Sequence, residues 1–212
     1  NPTGSVLNLE QLGAISKTVS ELGGALIVDE IYQGLSYDVE PVTALSQDAG
    51  NLFVVNSFSK YFAMTGWRLG WLVVPEPWIP VMDRLAQNLY LSAPTIAQYA
   101  ALAAMRPETV AILEERRAAF QERRDFLYPA LEALGFGLAG KPEGAFYLYA
   151  DCSGLTDDSF AFCERMLEEA GVAITPGKDF SLHEPQRYLR FAYTTSVDRM
   201  RLAIERLGKV IR

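Results

Sequence analysis

The stretch "NLFVVNSFSKYFAMTGWRLGWLVVPEP", residues 51–77, holds two apolar runs separated by a polar and aromatic segment. Apolar runs of this length, without polar alternation, are typical of strands buried on both faces of a sheet. The first run leads to Lys60 between serines and aromatics, and the second is closed by prolines. The stretch therefore predicts two strands joined by a loop that carries Lys60 and serine side chains.

The segment before this stretch has the same organisation. Residues 7–24, "LNLEQLGAISKTVSELGG", place apolar side chains at helical spacing and stop at a glycine pair. Residues 25–30, "ALIVDE", then indicate a buried strand that ends in acids. Apolar strands separated by helical or loop connections predict an α/β fold, with a mostly parallel sheet covered by helices on both faces.

The middle of the chain is predicted to be helical. An alanine-rich helix is expected over 94–105, and a long charged helix begins near Glu108 and ends at Gly135. Pro129 should kink or interrupt this second helix, because proline lacks the amide hydrogen that a helix interior needs.

The last part of the chain changes character. "GFGLAGKPEGAFYLYADC" predicts a strand pair, and "DDSFAFCERMLEEAGV" predicts an amphipathic helix with Asp at its start and Gly at its end. Two further short strands and a closing helix capped by Ser196 follow. We expect residues 1–105 to belong to a large α/β domain. Residues 106–212 should form the linking long helix and a small C-terminal α+β domain.

Composition narrows the class of protein. The 212 residues are 50% hydrophobic and 21% charged, which is ordinary for a globular chain. Nineteen basic and 26 acidic residues give a net charge of −7, which argues against a general nucleic-acid or acidic-membrane binder. Apolar runs fall far below the roughly 20 residues of a membrane helix. We expect a cytoplasmic protein without a nucleic-acid or membrane partner.

The cysteines and the histidine do not indicate a metal site. Cys152 and Cys163 lack the spacing of zinc ligands, so reduced and partly buried thiols are expected. His183 lies in a polar loop without a second histidine, which makes a metal or a Ser/His/Asp triad a weak interpretation. No metal is expected.

Polar side chains follow the predicted strands, where each strand ends. Asp29 and Tyr32 follow one strand, and Ser57, Ser59 and Lys60 follow the next. In open parallel α/β sheets, ligands bind outside the carboxyl ends of the strands. We therefore expect these groups to serve one ligand, although each taken singly also fits an ordinary loop residue.

These groups are chemically complementary. A lysine whose pKa is lowered by burial forms a Schiff base with carbonyls, and a carboxylate can keep a pyridine nitrogen protonated. The serine hydroxyls and Arg68 can bind a phosphate dianion. A lysine, an acid, a phenol and a phosphate clamp together predict a site for pyridoxal 5′-phosphate.

Several ordered motifs also resemble a known family. "NPTG", "DEIY", "SFSK" followed by "MTGWRLG", "EGAFY" and "LRFAY" occur in the order found in fold-type I pyridoxal-phosphate enzymes. The chain most resembles class I/II aminotransferases over nearly its whole length. This resemblance implies part of the large cofactor-binding domain of fold-type I plus the small C-terminal domain.

The resemblance implies three catalytic groups. Asp29 matches the residue that pairs with the pyridine nitrogen, and Tyr32 matches the donor to the cofactor's phenolic oxygen. Lys60 matches the lysine that carries the internal aldimine and then moves the proton between the substrate Cα and the cofactor's C4′ carbon.

It also implies binding residues. Ser57 and Arg68 would hold the cofactor phosphate, with Ser59 as a helper. Asn1 would lie near the phenolic oxygen and the substrate carboxylate, which Arg190 would bind bidentately. The remaining aromatics are open to two interpretations. Phe146 either lines the substrate pocket or packs in the core, and Phe58, Tyr61 and Phe62 either exclude water or pack structurally.

Further implications concern the whole enzyme. The family's catalytic domain begins well upstream of NPTG, so residues 1–212 are expected to be a C-terminal portion with little activity alone. The family forms homodimers with shared active sites and acts on amino acids and 2-oxo acids.

Alternative functions remain open at this stage. A pyridoxal-phosphate-dependent C–S lyase or a decarboxylase of the same fold retains the same lysine, aspartate and arginines. An aminotransferase-like effector domain of a transcription regulator is the alternative of a different class.

Overall fold

The structure is a computed structural model that describes residues 1–47 and 50–211. The helices are α1 (Leu9–Glu21), α2 (Ile79–Leu89), α3 (Thr95–Ala104), α4 (Pro107–Ala133), α5 (Ser159–Arg165) and α6 (Val197–Ile211). The strands are β1 (Leu26–Asp29), β2 (Leu52–Ser57), β3 (Gly70–Val73), β4 (Gly137–Leu138), β5 (Tyr147–Asp151), β6 (Thr175–Pro176) and β7 (Tyr188–Ala192).

The chain divides into two compact units. One unit comprises residues 7–117, and the other comprises residues 1–6 together with residues 118–212. Helix α4 contributes its first part to one unit and the rest to the other. Both units combine helices and strands, as expected of an α/β chain. The assignment of 1–105 and 106–212 to a large and a small domain stays a prediction.

The sheet of the 7–117 unit has the order β1-β2-β3. Strands β1 and β2 are parallel, with Asp29 opposite Val55, so their carboxyl ends share one edge. Strand β3 departs from the expected parallel pairing, because it runs antiparallel to β2 with Ser57 opposite Gly70. The connection between them holds only a short 3-10 turn and not the crossover helix that parallel pairing usually requires.

Apolar burial holds this unit together in two clusters. Leu12 of α1 packs with Leu52 and Val54 of β2, which explains the helical spacing of the first apolar stretch. Phe58 and Met64, from the loop after β2, pack with alanines of α3. The loop is therefore anchored in a core on its apolar side, and its polar groups are left for other contacts.

The second unit contains a four-stranded antiparallel sheet of order β4-β5-β7-β6. The predicted strand pair corresponds to β4 and β5, and the predicted Ser196 cap is confirmed because its hydroxyl accepts from the Arg199 amide over 3.4 Å. An interruption at Pro129 does not occur, because α4 continues through this residue. Buried Leu127 and Leu131 on either side anchor this part of the helix in the core.

Both cysteines lie in the core of the second unit. Cys152 and Cys163 are buried and free, as expected. Burial is the main cause that raises the pKa of Cys152 to about 11 and that of Cys163 to about 12. The thiols are therefore protonated at neutral pH and are structural residues.

Candidate functional site

The acidic pair at the end of β1 has two different roles. Glu30 accepts from the Ala44 amide over 2.6 Å and from the Thr43 hydroxyl over 3.1 Å, so it fastens the following segment. Asp29 is exposed. Within the described part of the chain its carboxylate accepts one hydrogen bond, from the Ile31 amide over 3.0 Å. Asp29 therefore has an oxygen available for a ligand, while Glu30 does not.

Tyr32 and Lys60 come together from the ends of neighbouring strands. The Lys60 ammonium lies 5.9 Å from the centroid of the Tyr32 ring. Both side chains are half-buried. This proximity follows from the parallel pairing of β1 and β2, which brings the segments after both strands to one edge of the sheet.

A network of hydroxyl groups shapes the loop that carries Lys60. Ser57 Oγ lies 2.9 Å from Ser59 Oγ and accepts from the Ser59 amide over 3.0 Å. Ser57 Oγ also lies 3.1 Å from the Leu69 carbonyl, and the Thr65 hydroxyl donates to the Ser59 carbonyl over 2.6 Å. The two predicted serines are thus adjacent, and their hydroxyls hold the loop in a defined shape.

Arg68 lies in a costly backbone conformation. Its φ of 55° and ψ of 51° lie in the left-handed region, which residues other than glycine rarely adopt. Its Nη1 donates to the Thr65 carbonyl over 2.9 Å, and the side chain is exposed. Within the described residues it bonds to neither serine. Strained backbone conformations cluster at active sites and ligand clamps.

Arg190 and Asn1 form a polar pair in the other unit. Arg190 Nη1 donates to Asn1 Oδ1 over 2.9 Å. The guanidinium carbon lies 4.5 Å from the Phe180 ring centroid and 5.3 Å from that of Tyr147. Arg190 Nε is buried and has no hydrogen-bond partner among the residues that the structure describes. A buried donor of this kind is suited to an incoming carboxylate.

The NPTG segment is held by a close backbone approach. Gly4 has a φ of +72°, and a Cβ there would lie 2.6 Å from Pro142 Cβ. The Gly4 carbonyl accepts from the Gly144 amide over 2.9 Å. Buried Arg124 of α4 donates in turn to the Pro142 carbonyl over 2.9 Å. This chain of contacts explains how residue 1 is fixed beside Arg190.

Phe146 packs with aromatic residues of the core. Its ring stacks on Phe120 at 5.6 Å and meets Tyr147 edge-on at 5.8 Å. The structure therefore supports the core interpretation of Phe146, and its role in a substrate pocket stays a prediction. Phe58 and Phe62 also pack together, with centroids 4.7 Å apart.

Residues 1–47 and 50–211 contain neither a cluster of metal-ligating side chains nor a helix able to span a membrane. Within this part of the chain, three or more His, Cys, Asp and Glu side chains nowhere come together in an arrangement that could hold a metal ion. None of the helices there has the length and apolar character needed to cross a bilayer.

The fold and the arrangement of the residues described above are consistent with one protein family. The model of the family "Aminotransferase class I and II" matches residues 1–207. The chain belongs to this family of class I and II aminotransferases, as the motifs predicted.

Named relatives support the same assignment. The chain is 40% identical over 209 residues to valine–pyruvate aminotransferase of Mycobacterium tuberculosis, covering 98% of this chain and 54% of that protein. It is 38% identical over 213 residues to aspartate/prephenate aminotransferase of Thermus thermophilus, covering 100% and 54%. The chain thus spans about half the length of the curated relatives it matches.

Solved structures share the fold. An aminotransferase from Mycobacterium tuberculosis matches with a TM-score of 0.94 and 40% identity, over 99% of this chain and 54% of that one. A tetra mutant of the aspartate aminotransferase of Thermus thermophilus matches with a TM-score of 0.91 and 38% identity, over 99% of this chain and 57% of that one. The predicted fold-type I architecture is therefore confirmed.

Proposed function

We propose that the full protein is a pyridoxal-phosphate-dependent aminotransferase, which transfers an amino group from an L-amino acid to a 2-oxo acid. The observation that carries this proposal is the convergence of Asp29, Tyr32 and Lys60 at one edge of the β1–β2 sheet. These are the acid, the phenol and the primary amine that the cofactor requires. Membership of the family supports the same conclusion.

The residues of this edge fit the cofactor. Lys60 supplies a primary amine that binds an aldehyde carbon, and Tyr32, whose ring centroid lies 5.9 Å from that amine, supplies a hydroxyl. Asp29 has carboxylate capacity that no other described residue uses, so it can hold a proton on a pyridine nitrogen. Ser57, Ser59 and Arg68 would bind the phosphate. When bound, the cofactor supplies an electron sink for the bond broken at the substrate Cα.

Lys60 and Arg190 then have distinct tasks. Lys60 would be the base that removes the proton from the substrate Cα and returns it later. Arg190, steadied by Asn1 and two aromatic rings, would bind the α-carboxylate with paired hydrogen bonds. Binding of this group orients the substrate, so that the bond to be broken is presented to the base.

The substrate class follows from this clamp. Arg190 recognises an α-carboxylate, which amino acids and 2-oxo acids share. The names of relatives refer to valine and pyruvate in one case and to aspartate and prephenate in another. We therefore propose an α-amino acid donor and a 2-oxo acid acceptor as the reacting pair.

The oligomer and the compartment belong to the proposal as well. Exposed apolar side chains on α2 and α3, including Leu89, Ile96, Tyr99 and Leu102, support burial against further polypeptide, as in a homodimer. Free buried thiols and a family of metabolic enzymes support a cytoplasmic location.

Paired substitutions in the full chain test the function. Lys60→Ala should abolish transamination between an amino acid and a 2-oxo acid, while Lys17→Ala on the surface of α1 should not. Asp29→Asn should lower kcat by orders of magnitude, because an unprotonated pyridine is a poor electron sink. The substitution Glu30→Gln at the neighbouring residue should lower the stability of the protein more than its kcat. Near-normal turnover by the Lys60 variant would refute the proposal.

A further inference from the structure

The residue that follows Lys60 is tied to helix α4. The Tyr61 hydroxyl donates to Glu114 Oε1 over 2.6 Å, and the two residues are 53 positions apart. Arg117 Nε donates to the other oxygen of Glu114 over 2.7 Å. Glu114 is thus fixed from both sides, and its hydrogen bond holds the Tyr61 side chain in place.

The same part of α4 also holds the segment after Tyr32. Arg117 Nη1 donates to the Ser36 carbonyl over 3.2 Å. Above this segment the Tyr61 ring lies against Gly34, where a Cβ would be only 2.9 Å from two ring atoms. Gly34 has a φ of +88°, so glycine is favoured there on backbone grounds as well. One tyrosine and one helix therefore contact both segments that carry site residues.

The electrostatics of the pair agree with a firm hydrogen bond. Burial, with the hydrogen bond to the Glu114 carboxylate, raises the pKa of Tyr61 to about 12. Burial alone would raise the pKa of Glu114, but hydrogen bonds from Tyr61 and Arg117 outweigh it and lower that pKa below its ordinary value. At neutral pH the phenol stays a donor and the carboxylate stays an acceptor.

We propose that Tyr61 is a positioning residue, which fixes the orientation of Lys60 and Tyr32 by bridging their two segments to Glu114 of α4. The inference rests on the proposed function, because it assigns Tyr61 a task in presenting the Lys60 amine to the cofactor. Tyr61 itself does not touch the reacting atoms. Its side chain limits the motion of the backbone from which Lys60 extends.

The test compares variants of the full chain with pyridoxal phosphate as the probe. Tyr61→Phe keeps the ring against Gly34 and removes only the hydroxyl, and Glu114→Ala removes the acceptor. Glu114→Gln keeps an acceptor for the Tyr61 hydroxyl, so it should restore the cofactor binding that Glu114→Ala loses. Tyr128→Phe is the matched control, because it removes another tyrosine hydroxyl of α4, one whose pKa is raised by burial and by nearby Glu132.

Two readouts separate positioning from stability. The first is the dissociation constant for pyridoxal phosphate, measured by borohydride trapping on Lys60. It should rise about threefold to tenfold in Tyr61→Phe and Glu114→Ala, the range expected for the loss of one hydrogen bond of typical net strength. The second is the induced circular dichroism of the bound cofactor at full occupancy, which should weaken in the same variants.

The double variant supplies the decisive comparison. Tyr61→Phe combined with Glu114→Ala should bind no more weakly than Glu114→Ala alone, because the hydrogen bond that Tyr61→Phe removes is already lost in that variant. Wild-type affinity and dichroism in Tyr61→Phe, with Lys60 trapped normally, would overturn the inference and leave the proposed function intact. Failure of the wild-type chain to form any Lys60 adduct would instead overturn the proposed function, and with it this inference.

Discussion

Arg190 Nη1 donates to Asn1 Oδ1 over 2.9 Å, which joins residues 189 positions apart in the chain. The guanidinium lies near the rings of Phe180 and Tyr147 and keeps a buried Nε without a partner in the part of the chain described. A planar cation fixed by an amide oxygen and two rings needs little reorganisation before it binds a carboxylate.

Replacing this guanidinium tests the carboxylate clamp. Arg190→Lys keeps the charge but loses the planar fork, so kcat/KM should fall by about tenfold to a hundredfold, chiefly through KM. Steady-state kinetics with an amino acid and a 2-oxo acid measure this. Arg187→Lys is the matched control, because the two terminal nitrogens of Arg187 already bind Glu184 and Asp151, and its kinetics should stay close to the parent. Equal losses in both variants would contradict the assignment.

Gly34 offers a test of the packing around Lys60. Gly34→Ala adds left-handed strain and a clash with the Tyr61 ring at 2.9 Å, whereas Gly23→Ala adds strain with nothing within 4 Å. The free energy of unfolding should fall by about 1 kcal/mol for Gly23→Ala and by roughly 2–4 kcal/mol for Gly34→Ala. Urea denaturation measures both, and similar losses would show that the ring does not rest on Gly34.

The sequence allowed part of the site to be predicted, for a physical reason. Asp29 and Lys60 each come at or after the end of an apolar strand, and parallel strands bring such positions to one edge of the sheet, so their placement at that edge was predictable. The Tyr61–Glu114 bond was not predictable, because its partners belong to elements whose packing no local pattern reveals. The burial of Arg124 was not predictable for the same reason, because in the sequence this residue is one of many charged residues on a charged helix.

The direction of β3 could not be predicted from the sequence pattern either. An apolar run indicates a buried strand but does not specify which way the strand runs. Direction depends on the connection, and here the loop after β2 folds back with the Phe58 amide bonded to the Leu69 carbonyl over 3.1 Å. Such a loop returns the chain antiparallel without a crossover helix.

Acid should weaken one ion pair of the second unit in a predictable direction. Burial alone would raise the pKa of Asp151, but hydrogen bonds from Ser153 and Arg187 outweigh it and hold this pKa below its ordinary 3.8. A lowered folded-state pKa contributes stability above the unfolded value, and this contribution is lost as pH falls through the folded value. The ionised carboxylate therefore stabilises the fold at neutral pH.

Asp151→Asn should accordingly be less stable than the parent at neutral pH, and the difference should shrink as the pH falls below 3.8. The effect should be small, because the partner Arg187 is partly exposed and solvent screens the pair. Urea denaturation across this pH range measures it, with exposed Asp157→Asn as the control. A stability difference that grows in acid would contradict the sign.

The attachment of the cofactor to Lys60 is the central claim, and one measurement addresses it directly. The full chain is incubated with pyridoxal phosphate, reduced with borohydride and digested, and the modified lysine is identified by mass spectrometry. We expect one stable adduct on Lys60, with Lys17, Lys141, Lys178 and Lys209 unmodified. Labelling of those lysines with Lys60 left free would contradict it.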